Sequence, residues 1–199
     1  MMKLVTCLCL VVLITQPLFA RDSHELDTKR FGRHYSTTLV AKGIVVPWAM
    51  AQLPNGDLLV SERHSALRII RNEQLLQQEV TGLPDIVSEG QGGLLDLALH
   101  PEFSENNWLY FTYSTRTEKG TNTALMRAKF DSEKLALSGH QQLYVGDVDA
   151  QGGRHFGSRI AFDHQGYVYF SIGDRGQRDV YPQDLSKDAG KIYRLHDDG

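Results

Sequence analysis

The residues best suited to chemistry lie in a glycine-flanked segment that leads into a strand pattern. Residues 152–160 read Gly-Gly-Arg-His-Phe-Gly-Ser-Arg-Ile, and alternating apolar residues follow from Ala161. We therefore expect His155 on a loop at the rim of a sheet, where glycines let a ligand approach the backbone. Histidine suits removal of a proton from a hydroxyl group, because its ordinary pKa lies nearest neutrality. A histidine that merely packs in a turn is the alternative.

A second polar side chain is also surrounded by glycines. Residues 89–96 read Glu-Gly-Gln-Gly-Gly-Leu-Leu-Asp, which places Gln91 on a tight loop before a strand. Its amide is both donor and acceptor, which suits a sugar hydroxyl or a quinone oxygen. The segment is not a phosphate-binding loop, because it lacks Gly-Lys-Ser/Thr and a following helix. A bulge or a plain turn is the alternative.

A third segment is rich in charge. Residues 173–179 read Gly-Asp-Arg-Gly-Gln-Arg-Asp, a pattern typical of a solvated turn with weak ion pairs. Asp174 or Arg178 could instead hold a neighbouring loop or a polar ligand. Asp147 and Asp149 resemble half of a calcium loop, but the remaining oxygen ligands are missing, so we predict a turn there.

Short β-units must position these loops. The chain has no long stretch of helical periodicity, and residues 131–137 and 182–189 could form at most one or two helical turns. Apolar residues instead occur in short runs or in alternation, bounded by Gly, Pro, Asn and Asp. Four segments are typical strands: residues 57–61, 66–70, 108–113 and 167–171.

An internal repeat predicts the architecture. Residues 51–61 align without gaps on residues 161–171, and a third copy joins residues 97–101 to 109–112. Each copy reads strand, turn, strand, and the corresponding alanines lie 47 and then 63 residues apart. Repeats of about 40–50 residues with several strands are typical of propeller blades. A β-sandwich is the alternative, but it would not require the same unit three times.

The N-terminal segment predicts export. In residues 1–20, Lys3 precedes a mostly apolar run over residues 4–14, and a small residue, Ala20, ends the segment. This is the form of a secretory signal peptide, and the apolar run is too short for a membrane span. We therefore expect a periplasmic protein without a membrane span after cleavage. Both cysteines fall in this segment, so neither a disulfide nor a thiolate metal site is expected in the processed chain.

The remaining boundaries follow from composition and length. Residues 21–35 form a polar lead-in, and residues 36–199 have room for about three blades of roughly 50 residues each. Residues 196–199 read as a turn where the next hairpin should begin, so we expect the N-terminal half of a longer protein. The chain has 24 acidic and 21 basic residues among 199, and nucleic-acid binding is therefore not expected.

The chain resembles the soluble PQQ-dependent aldose sugar dehydrogenases, also called the glucose/sorbosone dehydrogenase family. The resemblance runs from about residue 36 to the end, with the motifs in the same order. The matching segments are residues 46–51, 61–63, 89–96, 155–159, 166–176, 183–185 and 190–195.

The resemblance implies an all-β, six-bladed propeller of which this chain supplies about the first three blades. It also implies that pyrroloquinoline quinone (PQQ) binds at the tunnel mouth with Ca²⁺ on the cofactor. His155 matches the catalytic base, which accepts the proton of a sugar's anomeric hydroxyl while hydride passes to the quinone. Gln91, Arg159 and Asp174, in the matching motifs, are predicted to bind cofactor or substrate. A respiratory carrier would then receive the electrons.

Two features separate this chain from the complete family pattern. Arg154 stands where the family carries Asn or Asp, which leaves the preferred sugar open. The calcium ligands and an Arg-Asn pair that grips the cofactor are expected beyond residue 199, so no metal ligand is predicted here. We therefore expect weak or no PQQ binding and no turnover by this polypeptide alone. The alternatives are a calcium-dependent propeller lactonase, whose histidine activates water, and a non-catalytic propeller fragment.

Overall fold

A computed structural model describes residues 23–24, 37–148 and 152–199. The predicted signal peptide and Asp149 lie outside the described residues. The chain divides into two compact units, residues 1–39 and residues 40–199. In the first unit, strand β1 (Ser23–His24) pairs antiparallel with β2 (Thr37–Thr38).

The second unit contains three antiparallel sheets, each built from strands that are consecutive in the chain. The first sheet contains β3 (Pro47–Gln52), β4 (Leu58–Glu62), β5 (Ala66–Arg71) and β6 (Gln74–Leu75). The second contains β7 (Leu94–Leu99), β8 (Trp108–Thr117), β9 (Gly120–Asp131) and β10 (Ala136–Val145). The third contains β11 (Gly157–Phe162), β12 (Tyr167–Ile172) and β13 (Lys191–His196).

Each sheet begins with the hairpin that the sequence repeat predicts. The three copies form β3–β4, β7–β8 and β11–β12, in antiparallel register. Gly56 and Gly166 occupy equivalent turns with φ of +90° and +82°, a conformation that glycine adopts without steric cost.

Helical structure is minimal, as expected. A single turn, α1 (Phe103–Asn106), lies between β7 and β8, and a 3₁₀ helix (Tyr181–Gln183) overlaps one segment that the sequence left open to helix. The other such segment, residues 131–137, is the tight turn between β9 and β10. No helix among the described residues is long and apolar enough to cross a membrane.

The second sheet is buried on both faces, because β8 directs alternate side chains to opposite sides. Leu109 and Phe111 join the apolar cluster shared with the first sheet, whereas Tyr110 joins the cluster shared with the third. All three side chains are fully buried. The three sheets therefore pack face to face in chain order, as successive blades of a β-propeller do; the total of six blades stays a prediction.

Buried polar groups fix the third sheet against the second. The Asp96 carboxylate accepts the Ile160 N–H at 2.6 Å, and the Thr112 hydroxyl donates to the Ser158 carbonyl at 3.0 Å. Burial raises the pKa of Asp96, and the Ile160 hydrogen bond partly offsets that rise. These contacts position β11, directly after the segment that carries His155.

Candidate functional site

Three loops meet where β7 and β11 begin and β12 ends. We call them the glutamine loop (residues 89–93), the histidine loop (152–156) and the aspartate loop (173–177). The Gln91 backbone N–H donates to the Gly153 carbonyl at 2.7 Å, and the His155 N–H donates to Gln91 Oε1 at 2.8 Å. Gln91 therefore joins the histidine loop through both its backbone and its side chain.

The imidazole of His155 is oriented by a carboxylate. Its Nδ1 lies 2.6 Å from Asp174 Oδ1, which also accepts the Gly176 N–H at 2.8 Å. The His155 hydrogen bond, followed by that of Gly176, lowers the pKa of Asp174. An ionised carboxylate can only accept, so the proton of the neutral ring lies on Nδ1 and the lone pair on Nε2.

The second ring nitrogen is available to a ligand. The His155 side chain is 50% exposed, and no described residue hydrogen-bonds its Nε2. His155 has φ of +54°, a left-handed conformation that a non-glycine residue holds only when its surroundings determine it. A strained, exposed histidine with one nitrogen fixed and the other open is arranged to accept a proton.

Glycines permit the close approach of the loops. A Cβ at Gly90, which has φ of +57°, would collide with the carbonyl of Gly153. A Cβ at Gly173 would likewise collide with the carbonyl of His155. The glycines flanking the polar residues thus serve loop-to-loop packing as well as any access of a ligand.

The first sheet supports the site through Arg63, at the end of β4. Its Nη1 donates to the carbonyls of Gly90 at 2.6 Å and Gly92 at 3.1 Å. The Leu94 N–H donates back to the Arg63 carbonyl at 3.2 Å. Arg63 lies within a segment that carries the family resemblance, but sequence reasoning assigned it no role in the site.

The structure brings Gln91, His155 and Asp174 together and leaves Arg159 apart from their hydrogen bonds. The Arg159 guanidinium pairs with Asp96 Oδ1 at 3.2 Å, and its side chain is 77% exposed. A role for Arg159 in binding cofactor or substrate therefore stays a prediction.

The other charged candidates have separate environments. Arg178 pairs with its neighbour Asp179, and both side chains are 83% exposed, as in the expected solvated turn. The carboxylate of Asp147 accepts the Lys119 ammonium at 2.7 Å. Among the described residues, no three His, Cys, Asp or Glu side chains are placed to hold a metal ion.

Sequence reasoning missed the residue beneath the histidine loop. Arg175 follows Asp174 in the chain, yet it points inward and is only 4% exposed. It had been counted among the charges of a solvated turn, and nothing in the local pattern separates it from Arg178.

Comparisons with known proteins match this region of the chain. The family model described as Glucose / Sorbosone dehydrogenase matches residues 44–199. The aldose sugar dehydrogenase YliI of Escherichia coli is 34% identical over 155 residues, covering 77% of this chain and 42% of the relative. An uncharacterized protein of Synechocystis is 39% identical over 177 residues, covering 80% and 42% respectively.

A solved structure has the same arrangement of strands. The PQQ-bound form of an aldose sugar dehydrogenase from Streptomyces coelicolor superposes with a TM-score of 0.71 at 29% identity. The match covers 81% of this chain and 47% of that protein. The chain thus spans less than half the length of each of these three proteins.

Proposed function

Because the chain belongs to the glucose/sorbosone dehydrogenase family, we propose that this site oxidises the anomeric hydroxyl of an aldose sugar to a lactone, with PQQ as oxidant. The observation that carries the proposal is the His155–Asp174 pair. Its Nδ1 is fixed by a carboxylate, and its Nε2 is open on a half-exposed ring.

His155 is the general base in this proposal. Its Nε2 takes the proton of the anomeric hydroxyl, and the ring becomes a cation. Asp174 accepts the Nδ1–H, keeps Nε2 directed outward, and stabilises the positive charge that develops on the ring. Gln91 holds the backbone of the base through the His155 N–H, so the reacting nitrogen is fixed from two directions.

The donors around His155 suit an anionic quinone. Gln91 uses its Oε1 for the His155 N–H, which leaves its NH₂ group for a ligand oxygen. Arg154 is exposed beside the base, and its charge contributes to the lowered pKa of Asp174. These two side chains would hold PQQ, which supplies a two-electron acceptor when bound. Calcium rests on the family resemblance alone.

Location and electron transfer complete the proposal. We propose that the protein works in the periplasm after cleavage of residues 1–20, and that a respiratory carrier accepts the electrons. This part rests on the sequence of residues 1–20 and on the resemblance.

The test is sugar oxidation by the protein as its host makes it, supplied with PQQ, Ca²⁺, glucose and a reducible dye. We expect His155→Gln to lower kcat by about 100-fold or more. His164→Gln, at an exposed position in the β11–β12 turn, is the matched control and should retain activity. The 199-residue polypeptide, assayed in parallel, should show no turnover.

Three outcomes would contradict the proposal. Equal losses in the His155 and His164 variants would remove His155 from the reaction. Lactone hydrolysis that needs Ca²⁺ but no PQQ would favour a propeller lactonase. A folded protein without either activity would favour a non-catalytic propeller.

A further inference from the structure

Arg175 is a buried cation that contacts the histidine loop and the second sheet together. Its guanidinium donates to the Gly152 carbonyl at 2.9 Å and to the Arg154 carbonyl, both in the histidine loop. A third hydrogen bond, of 3.1 Å, reaches the Thr121 carbonyl in β9. One planar group thus connects the loop that carries His155 to the neighbouring sheet.

The residue after His155 is held by the same side chain. The Arg175 guanidinium lies 3.6 Å from the centre of the Phe156 ring, and Phe156 is 3% exposed. The Phe156 carbonyl accepts the Thr123 hydroxyl at 2.8 Å, which adds a second contact with β9. The loop is therefore fixed to the second sheet on both sides of His155.

Burying this charge is costly, which argues that its contacts have a purpose. Burial lowers the pKa of Arg175 to about 10. Among the described residues, its hydrogen-bond acceptors are backbone carbonyls, and no carboxylate forms an ion pair with it. An apolar side chain could fill the space without removing a charge from water. Only a guanidinium offers several donors in a rigid plane that can also stack on a ring.

We infer that Arg175 is a positioning residue, which fixes the histidine loop against β9 and thereby sets the location and orientation of His155. Asp174 and Arg175 then act on opposite sides of the same loop. Asp174 orients the ring from the outside, and Arg175 holds the backbone from beneath. The consequence for catalysis rests on the proposed function, whereas the consequence for the ring does not.

The first test observes the imidazole directly. In ¹⁵N–¹H NMR spectra of the purified chain, the His155 signals are identified by their loss in His155→Gln. We expect one tautomer, protonated at Nδ1, in the wild type. Arg175→Lys keeps a positive charge but loses the planar group, and it should give a tautomer mixture or split His155 signals.

The matched control is Arg127→Lys. The Arg127 guanidinium also donates to a backbone carbonyl, that of Asp197 at 2.9 Å, and lies 4.4 Å from the centre of the Trp108 ring. It lies six residues further along β9 than Thr121. Arg127→Lys should leave the His155 signals unchanged, although it loses the same type of contact.

The second test is kinetic, on the PQQ-loaded protein made by its host. A small displacement of a catalytic group can cost about 100-fold in rate, so Arg175→Lys should lower kcat by about 10- to 100-fold with KM changed less than about threefold. Phe156→Leu keeps the arginine but removes the ring, and it should shift the His155 signals less, in the same direction. This variant decides the matter if Arg175→Lys fails to fold.

The inference is overturned if the His155 signals are the same in Arg175→Lys and wild type, or if Arg127→Lys changes them equally. If Arg175→Lys does not fold, unchanged His155 signals in Phe156→Leu overturn it. Absence of sugar oxidation in the wild type would overturn the proposed function only, because the NMR result does not require turnover.

Discussion

Two histidine–aspartate pairs lie at opposite ends of the strands where the second and third sheets meet. His155 precedes β11 and contacts Asp174 at 2.6 Å. His100 follows β7, and its Nε2 lies 2.8 Å from Asp197 Oδ2. Each pair joins different segments of the chain, and each carboxylate fixes one nitrogen of a ring. By that contact alone the two pairs are equivalent.

Their second nitrogens differ. His100 Nδ1 accepts the Glu102 N–H at 3.0 Å and the Asn106 side-chain amide at 2.7 Å. The His100 side chain is 10% exposed and its ring packs against Tyr110 and Phe162. The Nε2 of His155 has no such partner among the described residues. A fully bonded, packed ring stabilises a fold, whereas a ring with one open nitrogen can also transfer a proton.

The sharpest separation is expected from the two carboxylates. Asp174→Asn should lower kcat by about 100-fold or more, because an amide that donates to His155 Nδ1 would move the ring proton to Nε2. Asp197→Asn should leave kcat within about twofold, since its partner ring lies away from the reacting atoms. The measurement is kcat for sugar oxidation by PQQ-loaded protein. Comparable losses in both variants would abolish the distinction between the pairs.

Sequence patterns located the open pair better than the closed one. Gln91 and His155 lie among glycines, because three loops approach closely there, and that leaves a visible pattern. His100 has no such flanks, and its packing depends on Phe162, more than sixty residues away in the chain.

Arg175 marks the limit of sequence reasoning at the site. Arg175 and Arg178 lie in one charged segment, and only the packing of Phe156 beneath the histidine loop makes Arg175 a buried residue. The repeat, by contrast, predicted the β3–β4, β7–β8 and β11–β12 hairpins, because alternating burial and turn glycines are local features. Contacts between sheets are not local, so Arg159 could not be placed on Asp96 from sequence.

Stability should reverse the order of the two pairs. His100→Asn leaves the donors of Glu102 and Asn106 without their acceptor and opens space beside two aromatic rings, so it should cost about 2–4 kcal/mol in the free energy of unfolding. His155→Asn should change that free energy by less than about 0.5 kcal/mol, because the site is exposed and asparagine tolerates a positive φ. Urea denaturation of both variants in one buffer measures the difference. Equal destabilisation would show that the His155 loop also supports the fold.

The smallest expected effect is the pH dependence of the Asp174 contact. The hydrogen bond from His155 is the main cause of the lowered pKa of Asp174. A carboxyl with a lowered pKa stabilises the fold in full above its ordinary pKa of about 3.9, and this contribution is lost as pH falls through the lowered pKa. Asp174→Asn should therefore reduce the free energy of unfolding by at most about 1 kcal/mol at neutral pH.

The same difference should vanish once Asp174 is protonated, below about pH 3. Urea denaturation of wild type and Asp174→Asn at several pH values measures it, and repeating the pair in a His155→Asn background isolates the contribution of the ring. In that background the pH-dependent part should shrink, because the main cause of the lowered pKa has been removed. If it keeps its full size, the carboxylate is stabilised by the Gly176 N–H and nearby charge instead. The open pair would then orient the imidazole without a measurable contribution to stability.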